Sequence, residues 1–288
     1  MDLRRIVLLG STGFIGSHLE AAVRSQYPDL ELAAFSIANL DLTQTPNAEK
    51  LADLFDQNTA VVMTAGVKRQ WGDTLDAFSQ NVGMAVNVGR VLQDHPVRRF
   101  VFFSSAAVYG EENHDERITE DTLVRPTSYY GAAKFASECV FRKTLPNGFV
   151  AVRPPLIYGP GDTSRSYGPA GFVHAAAHGE PVTLWGEGDE KREFIFVEDI
   201  VALTAQLVVS DFSGVINIAS GQQSTFREAV EIVNRLARGK VAIQSRPRSK
   251  TRVDHGFRNE RLTGLFPDFR FHTLEDGIRK TLQAEATK

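Results

Sequence analysis

Apolar residues in the first half of the chain alternate between short continuous runs and longer helical patterns. Such runs predict strands that are buried on both faces, and they lie at 6–9, 30–35, 60–63, 100–103 and 149–152. Helical patterns follow them, running from the residues after Gly16 to about Tyr27 and then over 47–55, 74–92 and 128–145. Strands that alternate with helices predict an α/β fold with a doubly wound parallel sheet, in which ligands bind at the carboxyl ends of the strands.

The pattern changes after Arg153, where prolines and glycines become frequent between Pro154 and Gly171. This composition predicts loops, which often line ligand sites in α/β proteins. Regular structure returns at Thr225, which is followed three residues later by Glu228 and by an apolar stripe. That spacing is typical of a capping box at the start of a helix.

Composition narrows the functional classes. The chain has 288 residues, with 32 Lys and Arg against 35 Asp and Glu, so the net charge of −3 argues against a nucleic-acid partner. No apolar run approaches the roughly 20 residues of a membrane span, and the first residues do not resemble a signal peptide. Cys139 is the single cysteine, which we expect to be a small buried or half-buried helix residue rather than a nucleophile. A cytoplasmic protein is expected.

Three glycines follow the first predicted strand, at positions 10, 13 and 16. A glycine turn between a strand and a helix brings backbone N–H groups and the positive end of the helix dipole close to a pyrophosphate. The context predicts a dinucleotide site rather than a merely structural turn.

The second predicted strand bears on the choice of dinucleotide. An acidic residue at its end would hydrogen-bond the ribose of NAD, but the strand ends in Phe35 and Ser36. No Arg or Lys follows between 37 and 45 to bind a 2′-phosphate, so NADP or NAD remains open with a slight preference for NADP. Asp41 could contact the adenine amino group or could be a solvent-facing turn residue.

Tyr130 and Lys134 have the i, i+4 spacing that places two side chains on one face of a helix. A tyrosine beside a fixed ammonium can transfer a proton to or from an alcohol oxygen during hydride transfer. Ser105 lies just beyond the strand at 100–103, where its hydroxyl could orient the same oxygen. Taken singly, the pair could be a chance helix pair and Ser105 a turn serine.

These motifs together resemble the extended short-chain dehydrogenase/reductases, in particular the NAD-dependent epimerase/dehydratase group that acts on nucleotide sugars. Further matches are Asn81 and the segments 153–161 and 192–199, and the resemblance runs from about Arg5 to about Thr281. It implies a Rossmann-type dinucleotide domain over 1–155, with segments around 190–220 returning to it. A small C-terminal α/β substrate-binding lobe would take most of 156–288.

The resemblance also implies roles for particular residues. Ser105, Tyr130 and Lys134 match the catalytic triad, with Tyr130 as acid/base and Lys134 also binding the ribose. The remaining cofactor contacts would be Gly10, Thr12, Gly13, Phe14, Ile15, Ser36, Asp41, Leu42, Ala65, Pro154 and Leu156. The substrate contacts would be Ser105, Tyr130, Trp185, Arg192 and Arg252.

Several of these substrate contacts have plainer alternatives. Arg192 would bind the diphosphate, since a guanidinium meets phosphate oxygens in a bidentate way, or else form an ion pair with Glu190 or Glu193. Trp185 is either a pocket wall or a core residue. The basic stretch 246–252 either approaches the diphosphate, through Arg252, or is a solvated loop.

Departures from the family pattern limit the reaction. Dehydratases carry an Asp-Glu pair where this chain has Ala106-Ala107, so dehydration is not expected. The 3,5-epimerases carry a cysteine at Ala107, and their histidine aligns poorly with His174 or His178, so that activity is not expected either. Leu156 stands where many sugar epimerases have an asparagine, so the sugar contacts must differ.

Three functions stay open. A 4-keto reductase, the preferred interpretation, would transfer hydride to C4 with Tyr130 as the acid. A C4 epimerase would use the same triad with tightly bound NAD. A non-catalytic dinucleotide-binding regulatory protein is the third, although such proteins usually lack the Tyr/Lys pair.

Two further expectations concern metals and assembly. His174 and His178 have a spacing that can bind zinc on a helix, but no third ligand is evident, so no metal site is expected. The resemblance implies a homodimer, in which the helices at 74–92 and 128–145 of two copies would form a four-helix bundle.

Overall fold

The computed structural model describes residues 3–69, 72–163, 168–238, 241–249 and 251–287. The chain forms two compact units. Unit 1 comprises Met1–Glu111, Leu123–Arg153 and Val201–Ile216, and unit 2 comprises Glu112–Thr122, Pro154–Ile200 and Asn217–Lys288.

Unit 1 is built on a six-stranded parallel sheet with the strand order β11-β6-β4-β3-β1-β2. Its strands are β1 (Arg5–Leu9), β2 (Glu31–Phe35), β3 (Thr59–Met63), β4 (Arg99–Phe103), β6 (Phe149–Val152) and β11 (Gly214–Ile216). Because β2 and β3 lie on opposite sides of β1, the chain reverses direction across the sheet there. This reversal is the position where open α/β sheets bind ligands, and the predicted fold class is confirmed.

The strands of unit 1 form where the apolar runs predicted them. Every residue of β3 and β4 is buried, as expected for strands covered on both faces. The helices are α1 (Phe14–Gln26), α2 (Thr45–Glu49), α3 (Leu75–Asp94), α4 (Tyr129–Thr144) and most of α6 (Val197–Val209), with 3-10 turns at Lys50–Asp53 and Ala106–Tyr109. The single helix predicted over 47–55 is therefore an α-helix that begins two residues earlier, beside Pro46, and tightens into a 3-10 turn.

Helices α3 and α4 pack closely against each other within the chain. A Cβ atom at Gly89 would lie 2.9 Å from Cγ1 of Val140, so the absence of a side chain there permits the approach. Cys139 is exposed, and the expectation that it is buried or half-buried is wrong. The buried face of α4 carries Lys134, Ser137, Glu138 and Phe141, which leaves position 139 on the opposite face.

Unit 2 has short two-stranded pairings instead of a continuous sheet. The parallel pairs are β7 with β10, β8 with β13 and β5 with β14, and the antiparallel pair is β9 with β12. The bounds are β5 (Asp115–Ile118), β7 (Leu156–Tyr158), β8 (Val182–Trp185), β9 (Lys191–Arg192), β10 (Phe194–Phe196), β12 (Ser224–Thr225), β13 (Ile243–Arg246), β14 (His255–Phe257), α5 (Pro169–His178), α7 (Phe226–Leu236), α8 (Glu260–Leu265) and α9 (Leu274–Glu285).

Two predictions for unit 2 have different outcomes. The capping box is confirmed, since Oγ1 of Thr225 accepts from the Glu228 N–H and the Glu228 carboxylate accepts from the Thr225 N–H. The segment predicted as loop over 154–171 also contains β7 and the start of α5. Pairing with β10 orders the first, and Pro169 begins the second.

Candidate active site

The carboxyl ends of four sheet strands lie in register. Leu9 pairs with both Phe35 and Met63, and Met63 pairs in turn with Phe102 of β4. The residues that follow these strands therefore share one edge of the sheet, namely Gly10, Ser36, Ala65 and Ser105. This edge brings together the predicted cofactor turn and part of the predicted catalytic triad.

Two of the three glycines in the turn after β1 cannot be replaced by a residue with a side chain without a collision. Gly10 has a φ of +99°, and a Cβ there would lie 2.6 Å from the Ala65 nitrogen. A Cβ at Gly16 would lie 2.0 Å from the Gly10 carbonyl oxygen. These contacts hold the start of α1 tightly against the end of β1.

The start of α1 suits an anion. Among the residues that the structure describes, no side chain caps this helix at Gly13, and its first turn carries no acidic residue. Thr12 and Gly13 are exposed, while Phe14 and Ile15 are half-buried. The N–H groups of Gly10, Ser11 and Gly13 donate to backbone carbonyls. The exposed backbone at Thr12 and the positive end of the α1 dipole therefore form the accessible surface that fits the pyrophosphate of a dinucleotide.

Hydrogen bonds within the chain hold Asp41 and Leu42, the predicted adenine contacts, and also Ser36. The Asp41 carboxylate accepts from the N–H and hydroxyl of Thr43, at 3.0 and 2.7 Å. The Leu42 side chain is buried in the core, and its carbonyl accepts from Nδ2 of Asn87. Ser36 is half-buried at the end of β2, with its N–H bonded to Oδ1 of Asn39.

Asn81 fixes the loop that follows β3. Its side-chain amide bonds both backbone groups of Val67, accepting from the N–H at 2.8 Å and donating to the carbonyl at 3.1 Å. The Ala65 N–H is committed to the Leu9 carbonyl. Gly66 lies beside the Lys134 ammonium, since a Cβ on it would be 3.4 Å from Nζ.

Three capping contacts position the helix that carries Tyr130 and Lys134. Oγ of Ser128 accepts from the Gly131 N–H, and the Asp73 carboxylate accepts from the N–H groups of Tyr129 and Tyr130 at 3.3 and 2.9 Å. A Cβ at Gly131 would lie 2.5 Å from the Ala107 carbonyl, so this end of α4 packs directly on the 3-10 turn after Ser105.

Ser105, Tyr130 and Lys134 come together as predicted. The Tyr130 hydroxyl lies near the Ser105 side chain, and Nζ of Lys134 lies 5.7 Å from the centre of the Tyr130 ring. Burial raises the pKa of Tyr130 to about 12, and the interaction with Ser105 only partly opposes this. Tyr130 is therefore protonated near neutral pH, as a proton donor must be.

Lys134 is a buried ammonium group. Its Nζ donates to the Phe103 carbonyl at 2.6 Å and lies over the Phe102 ring. Burial lowers the pKa of Lys134 to about 8, against the attraction of the nearby Glu138 carboxylate. The group thus keeps a positive charge at neutral pH but loses it at mildly alkaline pH.

A buried ion pair lies one helical turn beyond Lys134. The Glu138 carboxylate accepts from Nε and Nη2 of Arg153 at 2.8 and 2.6 Å and from the Ser104 hydroxyl at 2.5 Å. Nη1 of Arg153 donates to the Tyr109 hydroxyl. Burial disfavours the charge of Arg153, but its hydrogen bonds and electrostatic attraction to Glu138 and Tyr109 together outweigh this and raise the pKa of that guanidinium. Both charges are therefore satisfied without solvent.

In unit 2 the predicted arginines lie in a cluster with acidic residues. Arg192 pairs with Glu190 and donates to the Val253 carbonyl, which matches the ion-pair alternative. Arg252 makes a bidentate pair with Asp254 and reaches Asp189 at 2.7 Å. Arg248 pairs with Asp189 and Glu190, so two of the three arginines of the stretch 246–252 are held by ion pairs.

The other predicted residues of unit 2 are accessible to different degrees. The Trp185 ring is half-buried and covered by the Arg246 guanidinium at 3.3 Å, so it is not a core residue. Pro154 is buried and Leu156 is 41% exposed.

The family model for the NAD-dependent epimerase/dehydratase family matches residues 6–219. The chain belongs to this family.

The names of the chain's relatives describe enzymes for several nucleotide sugars. An uncharacterised UDP-glucose epimerase of Bacillus subtilis is 23% identical over 271 residues, which cover 83% of this chain and 84% of that protein. A dTDP-4-dehydro-6-deoxy-D-allose reductase of Streptomyces is 24% identical over 282 residues, covering 87% and 84%. The UDP-glucose 4-epimerase of Thermus thermophilus, solved with NAD, superposes with a TM-score of 0.84 at 24% identity, covering 98% and 99% of the two chains. This last similarity shows the fold.

Several residues that build this candidate site had no predicted role. Asp73 caps the helix carrying Tyr130, and Glu138 and Arg153 hold the charges beneath it. Glu138 continues the i, i+4 series from Tyr130 through Lys134, and this spacing was the available signal. Asp73 offered none, because its partners are backbone groups 56 and 57 residues away. Within the described residues, no helix combines the length and apolar character needed to span a bilayer.

Proposed function

We propose that this protein is a nucleotide-sugar 4-keto reductase that uses NADPH or NADH, with Tyr130 as the acid. The observation that carries the proposal is the placement of Tyr130 beside Ser105 and the buried Lys134 ammonium. A reductase and a C4 epimerase could both use these three side chains. The uncharged Ser36 at the end of β2 supports the reductase, because it would not repel the 2′-phosphate of NADPH.

Ser105, Tyr130 and Lys134 would each have a separate role in the proton transfer. When bound, the nicotinamide would supply hydride to the keto carbon. The Ser105 hydroxyl would hold the substrate oxygen, and the Tyr130 hydroxyl would give that oxygen its proton. The Lys134 ammonium would stabilise the phenolate that remains until water returns a proton to it.

The glycine turn and the start of α1 are proposed to bind the pyrophosphate. Their support is the accessible backbone at Thr12 and Gly13 and the uncapped helix start. The uncharged Ser36 at the end of β2 supports a preference for NADPH, because a carboxylate there would repel the 2′-phosphate. Lys134 would also bind the ribose. Asp41, Leu42, Ala65, Pro154 and Leu156 complete the proposed cofactor contacts.

For the substrate we propose Arg192 and Arg252 as diphosphate ligands and Trp185 as a pocket wall. Both arginines are already paired with acids, so phosphate binding would require them to exchange a carboxylate for a phosphate oxygen. We further propose that residues 1–155, with segments around 190–220, form the dinucleotide domain, and that most of 156–288 forms the substrate lobe, in a cytoplasmic homodimer.

The decisive experiment measures NADPH and NADH consumption on a panel of 4-keto nucleotide sugars, after mass spectrometry has identified any cofactor that copurifies. We expect Tyr130→Phe to lower kcat by about 10²- to 10⁴-fold while changing cofactor affinity little. Tyr129→Phe is the matched control, because this neighbouring ring is 48% exposed. It should keep full activity.

The alternatives predict different results. Tightly bound NAD with C4 inversion and no net consumption of reduced cofactor would replace the reductase with an epimerase, an activity that the Bacillus relative's name supports. Cofactor binding without turnover on any substrate would leave a regulatory protein. Unchanged turnover in Tyr130→Phe would overturn the role of Tyr130 in every enzymatic version.

A further inference from the structure

A second cluster of chemically competent side chains lies in unit 2, at the ends of helices α5 and α9. His174 and His178 occupy successive turns at the end of α5, and Glu285 is the last residue of α9. Each offers one ligand atom, and these atoms all lie within 4.8 Å of one another. The family assignment and the proposed reaction use none of the three.

The donor set, and the distance between two of its atoms, suit a metal ion better than a simple ion pair. Nδ1 of His174 lies 3.4 Å from Oε1 of Glu285, which is long for a charge-assisted hydrogen bond. A tetrahedral site with bonds of about 2.1 Å has ligand–ligand edges of about 3.4 Å. This pair therefore already spans one edge of such a site.

A hydrogen bond of His178 determines which of its two ring nitrogens can bind a metal. Nδ1 of His178 lies 2.9 Å from the His174 carbonyl oxygen, which can only accept. Nδ1 therefore carries the proton, and Nε2 of His178 keeps its lone pair for a metal. A carbonyl that orients a ligating imidazole through its other nitrogen is the usual arrangement around protein-bound zinc.

The surroundings favour a cation and leave room for its water ligands. The last turns of α5 and α9 direct the negative ends of two helix dipoles to this place. The three side chains also line an open cleft of about 1220 Å³, far larger than the roughly 30 Å³ occupied by a water molecule.

We propose that His174, His178 and Glu285 bind a divalent transition-metal ion, with Zn²⁺ the best match to two imidazoles and one carboxylate. Water completes the coordination. The ion joins α5 to α9 and so stabilises the folded chain rather than taking part in the reaction. The histidine spacing is visible in the sequence, but the third ligand lies 111 residues further along and is supplied by the fold.

The test uses the untagged full-length chain, freed of metal with a chelator and titrated with ZnCl₂ in a calorimeter, with MgCl₂ as the comparison salt. We expect one Zn²⁺ per chain, no binding of Mg²⁺ and a rise in Tm of several degrees with zinc. His178→Ala and Glu285→Gln should each weaken Zn²⁺ binding at least tenfold and remove the rise in Tm. His95→Ala, which deletes an exposed imidazole in unit 1, and Cys139→Ser, which deletes the exposed thiol, should change neither.

A second measurement does not depend on how the variants fold. In NMR spectra of the wild-type chain, Zn²⁺ should shift or broaden the ring signals of two of the seven histidines. Failure to bind one equivalent of Zn²⁺, equal binding by His178→Ala, loss of binding in Cys139→Ser, or unperturbed His174 and His178 signals would each overturn the proposal. Loss of catalytic activity is not among the readouts, so failure here is independent of the reductase proposal.

Discussion

Replacing Lys134 with methionine should stabilise the cofactor-free protein at neutral pH while abolishing its proposed activity. Burial lowers the pKa of this ammonium from about 10.5 to about 8. At about 1.4 kcal/mol for each tenfold change in an ionisation equilibrium, keeping Lys134 charged costs the folded state about 3 kcal/mol. Methionine removes this cost. It also leaves the Phe103 carbonyl without its donor, a loss of about 1–2 kcal/mol. The expected net gain is about 1–2 kcal/mol at pH 7.

The gain should reverse with pH, and this reversal identifies its cause. Below about pH 8, Lys134 is protonated in both the folded and the unfolded chain, so the full cost is present. Between about pH 8 and 10.5 the unfolded chain binds more protons than the folded one, so wild-type stability rises relative to the variant. By pH 10 most of the 3 kcal/mol is recovered, and Lys134→Met should then be the less stable protein.

The assay is urea unfolding of both proteins at pH 7 and pH 10, with the absence of bound dinucleotide verified by absorbance. Lys143→Met, on the exposed last turn of the same helix, is the control and should stay within about 0.5 kcal/mol of wild type at both pH values. A difference between Lys134→Met and wild type that does not change with pH would refute the reasoning. A loss of stability in the variant at pH 7 would refute the magnitude assigned to burial.

Two further predictions concern the glycine turn and the buried ion pair. Gly16→Ala should abolish dinucleotide binding and lower Tm, because its Cβ would collide with backbone. Gly83→Ala lies inside helix α3, where the added Cβ would meet no described atom within 4 Å apart from its chain neighbours and its own helix backbone, so it should raise stability by about 0.5–1 kcal/mol. Fluorescence titration with NADPH and thermal melts would check both variants. Glu138→Gln should cost about 3 kcal/mol in urea unfolding, because it leaves the Arg153 charge buried without its counterion. If the loss stays below about 1 kcal/mol, the ion pair does not hold this region together.

The architecture of unit 1 could be predicted from the sequence because each of its strands and helices is indicated by a pattern of neighbouring residues. Strands such as β3 and β4 are buried along their whole length, so their apolar runs are continuous. Helix α2 was less predictable because its pattern continues into a 3-10 turn. In unit 2 the strands have two to four residues and pair across distant segments, as β8 does with β13. Such pairings leave no periodicity that a sequence can show.

The candidate site likewise combines features that neighbouring residues predict with contacts between distant segments. The glycine turn and the Tyr130/Lys134 spacing are each contained within seven residues, so the sequence displayed them. The groups that set the behaviour of these residues come from elsewhere. Asp73 caps the helix of Tyr130 from 57 residues away, and Arg153 reaches Glu138 across 15. A pattern of spacings can propose a proton donor, but its protonation state depends on burial and charge, which exist only in the folded chain.

This dependence links the stability and the proposed chemistry of the protein. A tyrosine that must give up a proton needs a positive charge nearby, and the charge has most effect where water is excluded. Exclusion of water is also what makes Lys134 costly to the fold. The attraction of the Glu138 carboxylate offsets part of that cost. Glu138 is in turn neutralised by Arg153, which donates two hydrogen bonds to it inside the protein. The pair therefore serves the proposed acid indirectly, because it permits an ammonium to remain charged beneath Tyr130 at neutral pH.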